Sequence, residues 1–196
     1  YLRFQRMLKF FSYANLPCKF SQFIERKEIE LSGFDDALKN MMDGKERLIQ
    51  IIAYCIMPTH LHIVAKQTAK DGISLFMGNL LNSYARHFNL KNHRKGPLWQ
   101  GKFHNVLVEN DEQLLHLTRY VHLNPTSAGL TKQACEWHPS SYREYTKLSK
   151  PAERICNWDG LIDMTPLLYA KFVDEHTNDQ KMLAILKKHL LYTPGV

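Results

Sequence analysis

Apolar residues recur along this chain in two rhythms, and these assign most of its elements. Residues 2–11 mix apolar and basic side chains at roughly helical spacing, and residues 16–30 read as loop and short helix pieces. Residues 34–44 predict a helix, with Phe34, Leu38, Met41 and Met42 as its stripe and Gly44 as its stop. In residues 72–89 the apolar positions Leu75, Phe76, Leu80, Tyr84 and Phe88 fall at three- and four-residue steps, the signature of an amphipathic helix. Asn110 or Asp111 can cap a further helix reaching about Leu123. Pro125 is expected to end it, because the residue before a proline resists the helical region. Residues 166–176 and 180–191 predict two C-terminal helices.

The second rhythm is that of strands. Residues 47–57 are rich in Ile and continuously apolar, as in a strand buried on both faces. Pro58 and Thr59 make a turn, and residues 61–66 then alternate. Leu61, Ile63 and Ala65 point one way; His60, His62, Val64 and Lys66 point the other. The two runs predict a hairpin whose Leu61–Ile63 face packs on the core and whose imidazole face is open. Residues 103–108 predict another strand, preceded by a basic loop over residues 91–101. Residues 135–151 are mixed, with turns at 139–141. There is no internal repeat and no low-complexity tract.

A length of 196 residues with 44% hydrophobic positions fits one domain, or one domain with a small appendage. The longest apolar run, residues 48–57, is too short to cross a bilayer and contains Gln50, and nothing resembles a signal peptide. A formal charge of +7 and a pI near 9.2 favour polyanionic partners. The four cysteines, Cys18, Cys55, Cys135 and Cys156, form no CxxC pair and read as reduced thiols of a cytosolic protein. Cys135 and His138 have a ligand-like spacing, but no second pair completes a zinc site. The chain opens on Tyr1, directly in a helical pattern, so a stretch upstream is expected.

Three features carry chemistry. His60-Leu61-His62 places two imidazoles on one side of a strand, where they can share a metal ion; paired surface histidines are the plain alternative. Tyr120 and Asn124 lie four apart on the predicted helix, on one side and close together; an edge-of-core tyrosine and a helix-terminating asparagine are the plain alternatives. Arg86, Arg94, Lys95, Trp99, Lys102, Phe103 and His104 interleave cations and aromatics, a pattern that can track phosphates and stack bases. A solvated basic loop has the same composition.

Together these stretches resemble a known family. Met57-Pro58-Thr59-His60-Leu61-His62 resembles the MPNHxH hairpin motif of HUH single-strand endonucleases with one tyrosine, with Thr59 in place of the usual Asn. Leu98 to Phe103 resembles the family's LWQxRF element. Arg119 to Pro125, followed by Ala128-Gly129-Leu130, resembles its RYIxxNPxxAGL block. Pro139-Ser140-Ser141-Tyr142 is similar to its WSSY stretch. Order and spacing agree, and the nearest branch is that of the REP-associated tyrosine transposases.

The resemblance implies an α+β fold, a single antiparallel sheet with helices on one face in the ferredoxin-like, RRM-like manner. It implies a catalytic domain over residues 1–150, apparently lacking the family's first strand, and a helical extension over residues 151–196. It implies that Tyr120 attacks a phosphodiester of single-stranded or hairpin DNA and forms a 5′-phosphotyrosine link. His60, His62 and Asn124 would hold Mg²⁺ or Mn²⁺, and Arg86, Arg94, Lys95, Trp99, Lys102 and His104 would hold the DNA. His104, His116 or His122 could serve as base for the phenol. The setting implied is the bacterial cytosol, with no membrane partner, as a monomer or a homodimer. The rival expectations are a catalytically inactive hairpin-binding module and a hydrolytic metalloenzyme that uses activated water.

Overall fold

The computed structural model describes residues 1–176. The second C-terminal helix expected from sequence, residues 180–191, lies outside them. The fold is α+β: among the described residues, one two-stranded antiparallel hairpin and eight α-helices. Two compact units divide the chain. One comprises Tyr1–Gln50 and Ala65–Leu107; the other comprises Ile51–Val64 and the described residues from Val108.

The first unit is helical. Helix α1 (Leu2–Phe11) is followed by the short α2 (Phe20–Ile24) and α3 (Lys27–Ser32), then α4 (Phe34–Met41). The helical spacing of Phe4, Met7, Leu8 and Phe11, with Phe10 beside them, buries one side of α1. Phe10 meets Phe20 and Phe23, each with ring centroids 5.3 Å apart, and both of those rings meet Phe34. The cations of α1 are drawn into this packing: Arg3 lies over Phe20, Arg6 over Phe34, and Lys9 pairs with Asp35. Helix α5 (Gly72–Lys91) packs on α1, with Phe4 edge-on to Tyr84 at 4.7 Å.

The hairpin consists of β1 (Ile49–Ile56) and β2 (Leu61–Gln67), closed by a Met57 N–H to His60 carbonyl bond of 2.9 Å. The other edge of β1 is also occupied. Pro139 accepts from Ile56, Ser141 donates to Tyr54, and Asn157 donates to Ile51. Helix α6 (Asp111–Ser127) starts as expected, with the Asn110 side chain accepting from the Gln113 N–H at 2.8 Å. The rest of this unit adds α7 (Tyr142–Tyr145) and α8 (Pro166–Asp174). Its core joins Ile52, Ala53, Cys55, Met57 and Val64 of the hairpin to Leu114 and Val121 of α6. A neighbouring cluster gathers Leu123, Tyr142, Tyr145, Tyr169 and Val173.

Three expectations are corrected. Residues 103–108 form no strand; Val106 and Leu107 are 85% and 80% exposed, and no ladder partner reaches them. Helix α6 does not stop at Leu123 but continues through Pro125 to Ser127. Leu123, Pro125 and Thr126 are all buried, and that packing outweighs the local preference against a helical residue before proline. Gly129, at φ +72°, follows the helix end, and the Leu130 N–H closes on the Pro125 carbonyl. Finally, the histidine side of β2 is not wholly open: His62 is half-buried on it, although His60 and Lys66 are exposed. Val64 is in the core, whereas Leu61, Ile63 and Ala65 are only partly covered. All four cysteines are free, and no helix of the described residues is long and apolar enough to cross a membrane.

Candidate active site

The site grows from the way β2 packs on α6. Alternation puts His60, His62 and Val64 on one side of the strand. Val64 is fixed in the core against Leu114 and Val121 of α6, so the same side of the strand carries His62 to that helix rather than to an open surface. The rings of His60 and His62 meet edge to face with centroids 4.8 Å apart. The ring of His62 in turn meets that of Tyr120 edge to face, at 5.9 Å. Two imidazoles and the phenol therefore form one row, drawn from the hairpin and from α6.

Each member of the row has a distinct environment. His60 is exposed, and its Nδ1 lies 3.1 Å from the Thr59 hydroxyl, so the threonine in the turn orients this ring. His62 is half-buried; burial first and the neighbouring His60 second hold its pKa down at about 4. Its imidazole is accordingly neutral at pH 7, the form that ligates metals. The Nε2 of His62 is buried and has no hydrogen-bond partner. A buried polar nitrogen without a partner is costly, and such an exception calls for an explanation. Tyr120 is 40% exposed. One turn on, the Asn124 amide nitrogen donates 2.8 Å to the Tyr120 carbonyl, which leaves the amide oxygen as the atom offered to a ligand.

Among the described residues no three His, Cys, Asp or Glu side chains cluster as a metal site. The row itself offers two imidazole nitrogens, and the Asn124 amide oxygen lies one helical turn beyond Tyr120. The buried, unpartnered Nε2 of His62 has the chemistry of a ligand atom, and a mixed nitrogen and oxygen set is chemically compatible with Mg²⁺ or Mn²⁺.

The three histidines considered as bases divide clearly. His122 is completely buried, with both ring nitrogens engaged by Tyr169 and Ser141 at 2.7 Å. It cannot reach solvent or substrate, and sequence reasoning did not foresee its structural role. His116 is exposed and accepts from Arg119 at 2.8 Å. His104 is exposed in the first unit.

The six residues expected to hold DNA all belong to the first unit. Arg86 is exposed on α5, and Lys95, Lys102 and His104 are exposed in the segment after it. Arg94 is spent on its own loop, donating to Asn89 and to the Pro97 carbonyl. Trp99 is half-buried; its indole N–H donates 3.0 Å to the Leu81 carbonyl and its ring packs 6.0 Å from Tyr84. These two residues hold the loop against α5, leaving the exposed cations on its outside.

The family model for IS200-like transposases matches residues 23–124, a span that includes the hairpin and α6 as far as Asn124. The chain belongs to the IS200-like transposase family. It is 23% identical over 125 residues to the "Putative REP-associated tyrosine transposase" of Haemophilus influenzae, covering 59% of this chain and 69% of that protein. It is 24% identical over 99 residues to the REP-associated tyrosine transposase of Escherichia coli, covering 50% of this chain and 57% of that one. No solved structure matches. The resemblance read from the four sequence motifs and the family match agree, and the chain is an enzyme of a transposase family.

Proposed function

We propose that this transposase nicks and rejoins single-stranded, hairpin-bearing DNA in the bacterial cytosol, using Tyr120 as the nucleophile in a site that requires a divalent cation. The observation that carries this reading is the contact of the His62 and Tyr120 rings at 5.9 Å beside a buried His62 nitrogen that has no partner.

The Tyr120 oxygen forms the bond to phosphorus while the bond to the 3′-oxygen breaks. The phenolic proton is lost and the departing strand ends as a 3′-hydroxyl. The 5′-phosphate stays on the tyrosine, which conserves a phosphoester for rejoining. His60, His62 and the Asn124 oxygen would hold the cation. When bound, Mg²⁺ or Mn²⁺ lowers the charge on the scissile phosphate and favours release of the 3′-oxygen. Two neutral imidazoles and a neutral amide leave the cation's charge undiminished. Asn124 shares a helical turn with Tyr120, so the ligand and the nucleophile keep a fixed relation along α6. Exposed Arg86, Lys95, Lys102 and His104 would follow the phosphate backbone. The row His60, His62, Tyr120 within one chain favours a tyrosine that acts in its own subunit.

The test uses a pool of hairpin-bearing single-stranded oligonucleotides labelled at the 3′ end. With Mn²⁺, the label is expected on the protein in a denaturing gel, and Tyr120→Phe is expected to abolish it while DNA still binds. Label released but never attached to protein would replace the tyrosine by water as nucleophile. Binding without any cleavage, in either metal, would leave only a DNA-binding role.

A further inference from the structure

On the side of α6 facing away from Tyr120 runs a chain of buried polar groups that the reaction does not use. Thr118 and His122 lie four residues apart on α6, as Tyr120 and Asn124 do, but about 200° around the helix from them. Thr118, His122 and Ser141 are fully buried, and so is Tyr169 of α8. The bond directions in this chain follow from chemistry. The Leu115 carbonyl can only accept, so the Thr118 hydroxyl donates to it at 2.8 Å. Thr118 then has no second proton, so the Tyr169 hydroxyl donates to it at 2.9 Å. Tyr169 must in turn accept from His122 Nδ1 at 2.7 Å, which fixes that proton on Nδ1. His122 Nε2 is therefore an acceptor, and the Ser141 hydroxyl donates to it at 2.7 Å in preference to the Tyr54 carbonyl at 3.2 Å. Ser141 Oγ finally accepts the backbone N–H of Tyr54, in β1, at 2.9 Å.

The two ends of this chain matter. One end is the backbone of β1, which is paired with the strand that carries His62. The other is the helix that carries Tyr120. The apolar contacts of Val64 with Leu114 and Val121 tolerate sliding; a directional chain of five hydrogen bonds does not.

We infer that His122, with Ser141 and Tyr169, is a positioning residue that fixes the register of α6 on the hairpin, and so the placement of Tyr120 against His62. This extends the proposed reaction and rests on it only for its kinetic consequence. A displacement of about 1 Å at a reacting group costs on the order of a hundredfold in rate.

Tyr169→Phe breaks the chain at its middle without leaving a large cavity. Tyr145→Phe is the matched control. Tyr145 is also buried, belongs to the same cluster, and donates 2.7 Å to the Ile52 carbonyl of β1, but that hydroxyl is not part of the chain on α6. Two measurements are made on both variants and the wild type, well below their melting points. The first is ¹⁹F NMR after 3-fluorotyrosine labelling, with the Tyr120 signal identified by its loss in Tyr120→Phe. The second is the single-turnover rate of DNA adduct formation beside the DNA dissociation constant.

Tyr169→Phe is expected to move or broaden the Tyr120 signal and to slow adduct formation by roughly ten- to a hundredfold at unchanged DNA affinity. Tyr145→Phe is expected to do neither. An unmoved Tyr120 signal in Tyr169→Phe, or an equal response in Tyr145→Phe, overturns the inference whatever the enzyme does to DNA. A wild type that forms no adduct but shows the expected ¹⁹F pattern upholds the positioning chain and overturns the tyrosine mechanism alone.

Discussion

Replacing His62 by leucine should make the protein more stable without metal and useless with it. The Nε2 of His62 is buried without a hydrogen bond, and its pKa near 4 keeps the ring neutral at pH 7. The native state therefore carries the desolvation cost of one neutral polar atom, about 1–3 kcal/mol. The ring as a whole is only half-buried, so the lower end applies. Leucine has a similar size, keeps an apolar contact with the Tyr120 ring, and removes the stranded nitrogen. The expected gain is about 1 kcal/mol, which in a chain of this length raises the melting temperature by about 2–4 °C.

The assay is thermal unfolding in EDTA, followed by a titration with Mn²⁺. In EDTA the variant should melt above the wild type. With Mn²⁺ the wild type should rise further, by about 2.7 kcal/mol at a hundredfold excess over the dissociation constant, and the variant should not move. A leucine variant that melts lower in EDTA would mean that Nε2 is satisfied in the native protein, and the assignment of His62 as a waiting ligand would fail. Equal Mn²⁺ shifts in both proteins would place the bound ion elsewhere.

His122 sets a pH dependence. Burial holds its pKa down to about 3, against about 6.5 in an unfolded chain, so only the unfolded state takes up the proton between those values. Its contribution is full above about pH 6.5 and is lost as pH falls toward 3; urea unfolding at pH 7 and pH 5 should differ by about 2 kcal/mol more in wild type than in His122→Gln. Gly72→Ala should destabilise by about 3 kcal/mol in the same urea assay. Its new Cβ would lie 2.1 Å from the Leu48 carbonyl oxygen, which the N–H groups of Thr68 and Ala69 hold in place; a loss under about 0.5 kcal/mol, the range of an indifferent surface change, would show that this backbone yields. Asn124→Ala should abolish adduct formation in Mn²⁺ while the far-ultraviolet circular dichroism stays the same; unaltered activity would remove the amide from the ligand set.

Much of this was legible in the residues. The helical spacing of α1 and α5, the Asn110 cap, and the hairpin around Pro58 and Thr59 are local signals, and the structure carries them. The spacing of His60 and His62 put them on one side of the strand; their meeting with Tyr120 came only from the family resemblance, and the ring contacts agree with it. What failed depended on partners. Phe103, Val106 and Val108 look like strand residues, but a strand exists only beside another, and sequence does not reveal whether one is there. Pro125 looks like a stop because its buried surroundings are not local. Alternation in β2 identified two faces but could not tell which one α6 would cover. The role of His122 was hidden because Thr118, Ser141 and Tyr169 are ordinary residues until the fold brings them to it.

The bond from the Asn124 amide to the Tyr120 carbonyl makes one turn of helix into a single moving part. If α6 shifts, the phenol and the amide travel by the same vector, while the imidazoles stay with the hairpin. The sole freedom the phenol keeps for itself is rotation about its own side-chain bonds. Engineers who wish to move this pair would have to transplant that turn whole, since one stretch of α6 sets both backbone positions.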